Sequence, residues 1–317
     1  VERLALTRSG STIAALRAAS DSSGDVMAVY KEGQADKVLE EVSGVAQWKQ
    51  VFPKVAPSVI SHQVEDARNT GSMVLEHLPG HTLEYLLLNG QWDSVGLLVS
   101  KLTRTLGKIW KTSRTDETAE PGYMTQLEAR MPEVRQAHPD LFTGKQNLCG
   151  LSRPGFDDLI LQVRHLETGL NPSFCVLIHG DFNVDNLIYD QLQNRIYFID
   201  LHRASYSDYV QDISVLMASI YRLPITDPDA RARTTGFIRQ LYQFARRFAR
   251  TSRDTCFEAR LAIALARSLA TSTRFIYDTG FAKRLAFRSV YLLESITAFN
   301  PDKLEKYRLP LEEIFHE

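Results

Sequence analysis

Cysteine is scarce in this chain: three in 317 residues, Cys149, Cys175 and Cys256, with no Cys-x-x-Cys pair. That excludes a disulfide frame and a thiolate zinc site, and it leads us to expect reduced thiols in a cytoplasmic protein. The eight histidines are scattered, and none pairs with another at metal-ligand spacing. A metal site, if the chain builds one, is therefore expected to be made of oxygen ligands. No apolar run approaches the roughly 20 residues that a membrane-spanning helix requires. The opening Val-Glu-Arg-Leu-Ala-Leu-Thr lacks the charged-then-apolar layout of a targeting segment. It also lacks an initiating Met, so the expectation is a piece of a longer chain. The absence of any repeat period or low-complexity tract excludes a repeat architecture.

What is present is ordinary in bulk and uneven in distribution. Apolar residues at 44% and charged residues at 24% describe a globular protein long enough for two lobes. The net charge of −1 conceals a segregation. Residues 229–291 hold twelve arginines and Lys283 against Asp229, Asp254, Glu258 and Asp278, while residues 1–100 hold eight basic and twelve acidic side chains. A cationic segment draws an anionic substrate or partner, although a solvated basic helix face has the same composition. No nucleic-acid partner is expected, and oligomeric state is not legible.

Turn clusters between short β-type runs organise the first ninety residues: 2–8, 13–19, Val26–Lys31 and Met73–Glu76 read as strands of an antiparallel meander. Val38, Val42, Val45 and Trp48 recur at helical spacing over Lys37 to about Gln50, with Asp36 as the expected cap. Beyond residue 92 the pattern turns helical. Val95, Leu98, Leu102, Leu106, Ile109 and Trp110 form one stripe, Phe156 to Leu166 another, and helical patterns continue from Asp208 to about Phe299. The fold class expected is α+β: a small β-rich N-terminal lobe with one helix (1–79) and a larger helical C-terminal lobe (80–317). A hinge near 76–80 joins them.

The chemistry is concentrated in residues 176–200. An apolar strand delivers His179-Gly180-Asp181, Asn186 follows five residues after the aspartate, and a short hairpin returns the chain to Ile199-Asp200. Phosphoryl transfer requires a carboxylate that orients and deprotonates the attacking hydroxyl, and oxygen ligands for the Mg²⁺ that bridges nucleotide phosphates. Asp181 suits the first task; Asn186 and Asp200 suit the second. A polar loop with Asp181 and Asn186 capping turns is the plainer alternative, and it does not account for three ligands at these offsets. Lys31 closes the Met-Ala-Val-Tyr-Lys strand. Taken alone it is a solvated edge charge. Paired with the downstream string it becomes a phosphate contact, held by a carboxylate of the next helix, Glu41 in preference to Glu40. Ser11 and Thr12 sit where a phosphate-covering loop falls, and a plain hairpin turn is the other reading there.

His-Gly-Asp-x-x-x-x-Asn followed by Ile-Asp resembles the aminoglycoside phosphotransferase and choline kinase family, and with Lys31 the resemblance covers roughly residues 1–300. It implies a two-lobed protein-kinase-like fold, with the C-terminal lobe carrying the catalytic hairpin, and transfer of the γ-phosphate of ATP (or GTP) to a hydroxyl of a small molecule. It also implies Mg²⁺, Asp181 as base, and adenine contacts from backbone groups near Glu76 and Leu78 in Leu75-Glu76-His77-Leu78-Pro79-Gly80. His179 is implied to support the loop by hydrogen bonding, and Asp212 to have a structural duty. Two departures stand out. Leu201-His202-Arg203-Ala204 replaces the aromatic–Glu step of many members, and the Ile-Asp-Leu-His-Arg-Ala string is similar to one in kinases of lipopolysaccharide core sugars. The basic C-terminal half is also a poor place for a polycation, so the acceptor expected is sugar-like, nucleoside-like or anionic. A protein kinase is excluded by the seven residues between Asp200 and Asp208, which leave no activation segment. An aminoglycoside-modifying kinase and a nucleotide-binding regulatory pseudokinase remain as alternatives.

Overall fold

Alternation with period two gives strands in the first third of the chain, and the 3.6-residue period gives helices thereafter. In chain order the computed structural model has β1 (Glu2–Leu6), β2 (Thr12–Arg17), β3 (Val26–Gln34), α1 (Ala35–Val51), β4 (Val59–Glu65), β5 (Thr70–Glu76), β6 (His81–Thr82), α2 (Leu83–Leu88) and α3 (Trp92–Thr112). There follow α4 (Tyr123–Ala137), β7 (Gln146–Leu148), β8 (Leu151–Arg153), α5 (Phe156–Glu167), β9 (Val176–Ile178), β10 (Leu187–Asp190) and β11 (Arg195–Phe198). The helices α6 (Val210–Tyr221), α7 (Pro228–Thr251), α8 (Phe257–Ser272), α9 (Thr279–Thr297) and α10 (Leu311–Phe315) complete an α+β chain. The structure describes residues 2–6, 12–17, 26–142, 144, 146–148 and 151–316.

Contacts divide the chain into two units, Val1–Ser113 with His179–Ser205, and Arg114–Ile178 with Tyr206–Glu317. This division differs from a lobe boundary at residue 79. β6 pairs with β10, and α3 packs on β11, which draws residues 80–113 and the β10–β11 hairpin into the first unit.

In the first unit β1-β2-β3-β5-β4 form one antiparallel sheet. Its register sets Lys31 between Ile13 and Met73. Helix α1 covers the sheet through Val38, which is buried with Met73 and Leu75 against Val29, Val42 and Val59. Gly71 permits the close packing, because a Cβ there would stand 3.0 Å from that of Val38. The helix starts earlier than its sequence pattern implies: Gln34 is the N-cap and makes no side-chain cap bond. Asp36 lies inside the first turn, where its charge meets the positive end of the helix dipole.

The second unit is built around α8, whose residues from Phe257 to Ala270 are all buried. It packs against α4, α6 and α9. Part of the arginine excess turns inward here. Arg260 donates to both Asp208 (Nε, 2.8 Å) and Asp254 (NH2, 2.7 Å) in the interior. The Tyr123 and Tyr209 hydroxyls donate to the same two carboxylates. Arg231 is buried too, and donates to the carbonyls of Tyr221, the last residue of α6, and of Leu223 just beyond it. Asp212 is fully buried in the first turn of α6.

Candidate functional site

β9 ends at Ile178, and the chain turns through His179-Gly180-Asp181. Gly180 has φ +82°, and a Cβ there would overlap the Arg203 carbonyl oxygen, so glycine alone permits this approach. His179 is fully buried under the turn. Its Nε2 donates to the Ile199 carbonyl (2.9 Å), and its Nδ1 accepts from the Asp181 backbone N–H (3.3 Å). Burial lowers its pKa against the charges of Asp181 and Asp200. The ring is thus a neutral strut with both nitrogens committed, surrounded by Trp48 of α1, Phe182 and Phe198.

The Asp181 carboxylate points away from this buried layer. Its Oδ1 accepts from Asn183 Nδ2 (2.6 Å), and its Oδ2 lies 3.6 Å from the half-exposed Arg203 guanidinium. Asn186 is buried and donates Nδ2 to the Asp181 carbonyl (2.8 Å), which leaves its amide oxygen without a hydrogen bond among the described residues. The Ile199 N–H donates to the Asn186 carbonyl (3.1 Å), and Leu187 faces Phe198 across the β10–β11 hairpin. These bonds bring Asn186 and Asp200 to the same end of the hairpin.

Asp200 itself is held in the left-handed region at φ +62°, a conformation that costs a non-glycine residue about 1–3 kcal/mol and is retained where the surroundings enforce it. Its Oδ1 accepts from Lys31 Nζ (2.6 Å) and lies 3.1 Å from His202 Nδ1; its Oδ2 has no hydrogen bond among the described residues. Lys31 also donates to Glu41 Oε2 (2.5 Å). One ammonium therefore bridges two carboxylates from α1 and the hairpin. Burial opposes ionisation of Asp200, but the His202 hydrogen bond and the Lys31 charge outweigh it and hold the group well below the usual carboxylate range. Burial likewise works against the Lys31 charge and is overcome by Glu41 and Asp200, so its pKa is raised. Glu41, only 3% exposed, is raised chiefly by burial, whereas Glu40 faces solvent.

α1 can seat Glu41 here because Gly44 presents no side chain to the Leu201 backbone; a Cβ at that position would overlap the Leu201 carbonyl oxygen. A crevice opens beside the cluster, lined by Lys31, Lys37, Glu41, Asp200 and His202. Among the described residues no group of three or more His, Cys, Asp and Glu is placed to hold a metal. Asp200 Oδ2 and Asn186 Oδ1, which accept no hydrogen bond among the described residues, are hard donors of the kind that bind Mg²⁺ when phosphate oxygens and water complete the shell.

The remaining sequence-derived candidates stand apart from this cluster. Thr12 starts β2 opposite Glu32, next to the Ile13–Lys31 pair; Ser11 lies outside the described residues. Glu76 ends β5 and is tied to Ser58, accepting from its N–H at Oε2 (3.0 Å), and Leu78 is buried. Three contributors were not anticipated: Asn183, His202 and Arg203, all touching Asp181 or Asp200. The signal lay in the sequence, since Asn183 falls two residues after Asp181 and Leu-His-Arg directly follows Asp200. That second string reads as a departure from a pattern, which hides its function as a partner set.

No sequence among curated proteins matches the chain. Solved structures of an aminoglycoside phosphotransferase do resemble it. The apo form of a thermostable mutant of APH(4)-Ia superposes with TM-score 0.57 at 14% identity, covering 94% of each chain. APH(4)-Ia itself gives 0.56 at 15%, covering 94% of this chain and 93% of that one. A ternary complex of the thermostable mutant with AMP-PNP and hygromycin B gives 0.54 at 13%, covering 94% of each. At such identities the likeness establishes the fold, that of the protein-kinase-like small-molecule kinases. The model of the phosphotransferase enzyme family, APH, matches residues 31–250, from the Lys31 strand to the end of α7, and the chain belongs to that family.

Proposed function

We propose that the protein transfers the γ-phosphate of ATP to a hydroxyl group of a small molecule, with Asp181 as the base. The observation that carries this reading is the Lys31 bridge between Glu41 and Asp200, set at the same hairpin end as Asn186 and the outward-facing Asp181. Lys31 contacts the nucleotide phosphates and Glu41 fixes it in place. Asn186 and Asp200 would hold Mg²⁺, which would supply positive charge to offset that developing on the phosphates. Asp181 receives the acceptor's proton, and Arg203 and Asn183 keep its carboxylate aimed. Backbone groups near Glu76 and Leu78 meet the adenine edge, and the segment at Ser11 and Thr12 covers the phosphates. In functional terms the nucleotide lobe is 1–79 and the catalytic and acceptor lobe 80–317.

The acceptor class best supported is anionic or sugar-like, because the C-terminal half carries the arginine excess. Hygromycin B is a ligand of APH(4)-Ia, and an arginine-rich lobe is unfavourable to such a polycation. The test is ATP consumption across a panel of aminoglycosides, neutral sugars and phosphorylated metabolites. Stimulation by an anionic or sugar-like hydroxyl compound supports the reading. Efficient phosphorylation of kanamycin-like polycations overturns the acceptor class alone.

A further inference from the structure

The second unit holds a cavity of about 510 Å³ in which the arginine excess converges. Arg246, Arg247, Arg250 and Arg253 come from the last turns of α7 and the residue pair after it, and Arg308 comes from the segment before α10. The three carboxylates in the lining offset them only in part: Glu258 pairs with Arg246 and lies 3.9 Å from Arg308, and nothing in the lining pairs with the other three. Asp254 is spent on Arg260 and the Tyr209 hydroxyl. Glu258 accepts from the Tyr242 hydroxyl (2.9 Å), the Leu309 N–H (2.9 Å) and Arg246 (3.1 Å). Glu305 is exposed at the rim. Among the described residues Arg247, Arg250 and Arg253 form no ion pair.

A second observation is independent of charge. α7 closes with the Asp254 N–H donating to the Ala249 carbonyl (2.9 Å), and Arg253 occupies the left-handed position, φ +60°, where glycine is the usual residue. Arg253 thus keeps a conformation unfavourable to a non-glycine residue, and it is one of the residues that line the cavity. Basic residues near a helix C-terminus complement the helix dipole. That does not account for the strained Arg253.

We propose that this cavity is a binding site for a multiply phosphorylated small molecule. The volume falls within the range of small-molecule sites, and guanidinium forks bind phosphate oxygens in pairs. This inference does not rest on the kinase assignment, since none of these residues belongs to the Lys31 cluster.

The probe is inorganic tripolyphosphate, titrated by calorimetry into the full chain carrying Lys31→Ala, which weakens phosphate binding at the nucleotide site. At about 0.15 M salt, where exposed charges are screened beyond about 8 Å, saturable binding is expected. It should weaken about tenfold with each of Arg247→Ala and Arg250→Ala, and less with Arg247→Lys. Arg253→Gly should raise the Tm while weakening binding, a pairing that a purely structural arginine does not give. The substituted arginines are all exposed, and circular dichroism verifies folding of each chain, the Lys31→Ala background included. Absence of binding in the Lys31→Ala chain, or undiminished binding in folded Arg247→Ala/Arg250→Ala, overturns the proposal.

Discussion

Gly44 offers a sharp test of how the site is assembled. Glycine inside a helix is normally a weakness, and replacement by alanine stabilises by about 0.5–1 kcal/mol. Gly96 in α3 should behave that way, because an added Cβ meets nothing within 4 Å. At Gly44 the added carbon would overlap the Leu201 carbonyl oxygen and stand 3.0 Å from the carbonyl carbon and 3.2 Å from Leu201 Cβ. These are backbone or near-backbone atoms and cannot rotate aside. Either α1 or residues 201–203 must shift, at an overpacking cost of about 1–3 kcal/mol. The expected net effect of Gly44→Ala is a loss of about 1–2 kcal/mol, the steric term less the propensity gain. Glu41 lies one helical turn earlier, so ATP affinity should fall as its hold on Lys31 loosens. Urea denaturation of both variants, with nucleotide titration of each, measures the two effects. If Gly44→Ala stabilises as much as Gly96→Ala, the close seating of α1 on Leu201 is wrong.

Asp200→Ala is expected to weaken Mg²⁺-dependent nucleotide binding, and Asn186→Ala to do so less, because one offers a full charge and the other a carbonyl dipole. Calorimetry with and without metal checks the order; Lys31→Ala should lose affinity in both conditions. Arg260→Ala leaves Asp208 and Asp254 buried without their cation, an expected loss of about 3–5 kcal/mol, read as a shift of the urea midpoint; a shift under 1 kcal/mol would contradict the network. The pH dependence follows from His179, whose folded pKa lies below 6.5. Between the folded value and 6.5 the unfolded chain binds more protons, so stability should fall as pH drops below about 6.5, and His179→Gln should reduce that slope. Asp200, depressed below 3.8, stabilises fully above that value and loses its contribution only as pH falls further.

Much of the arrangement was legible because chemistry imposes spacing. Asp181, Asn186 and Asp200 lie within twenty residues, and a hairpin is the natural way to bring such a string to one end. Lys31 and Glu41 are distant from that string, yet strand and helix periodicity already placed Lys31 on a strand and Glu41 on a helix; the strand runs on to Gln34, so Lys31 lies inside it and not at the end expected. Other elements gave weaker signals. β4 exposes Ile60, Ser61, His62 and Gln63 in succession, so it carries no alternation to read. α4 contains Pro132 within its length, which reads as a break. The arginine excess could not be divided from sequence, since Arg231 and Arg260 turn inward while Arg247 and Arg250 stay exposed. Burial depends on which helices meet, and periodicity on one helix does not specify its neighbour.

The most direct measurement is ATP turnover by wild-type protein and Asp181→Asn over a panel of hydroxyl-bearing small molecules, alongside MgATP affinity for both. The expected result is acceptor-dependent turnover in the wild type that falls by about 10²–10⁴-fold in the variant, with affinity nearly unchanged because the carboxylate acts on the acceptor. Turnover in Asp181→Asn equal to wild type on the same acceptor would contradict the account.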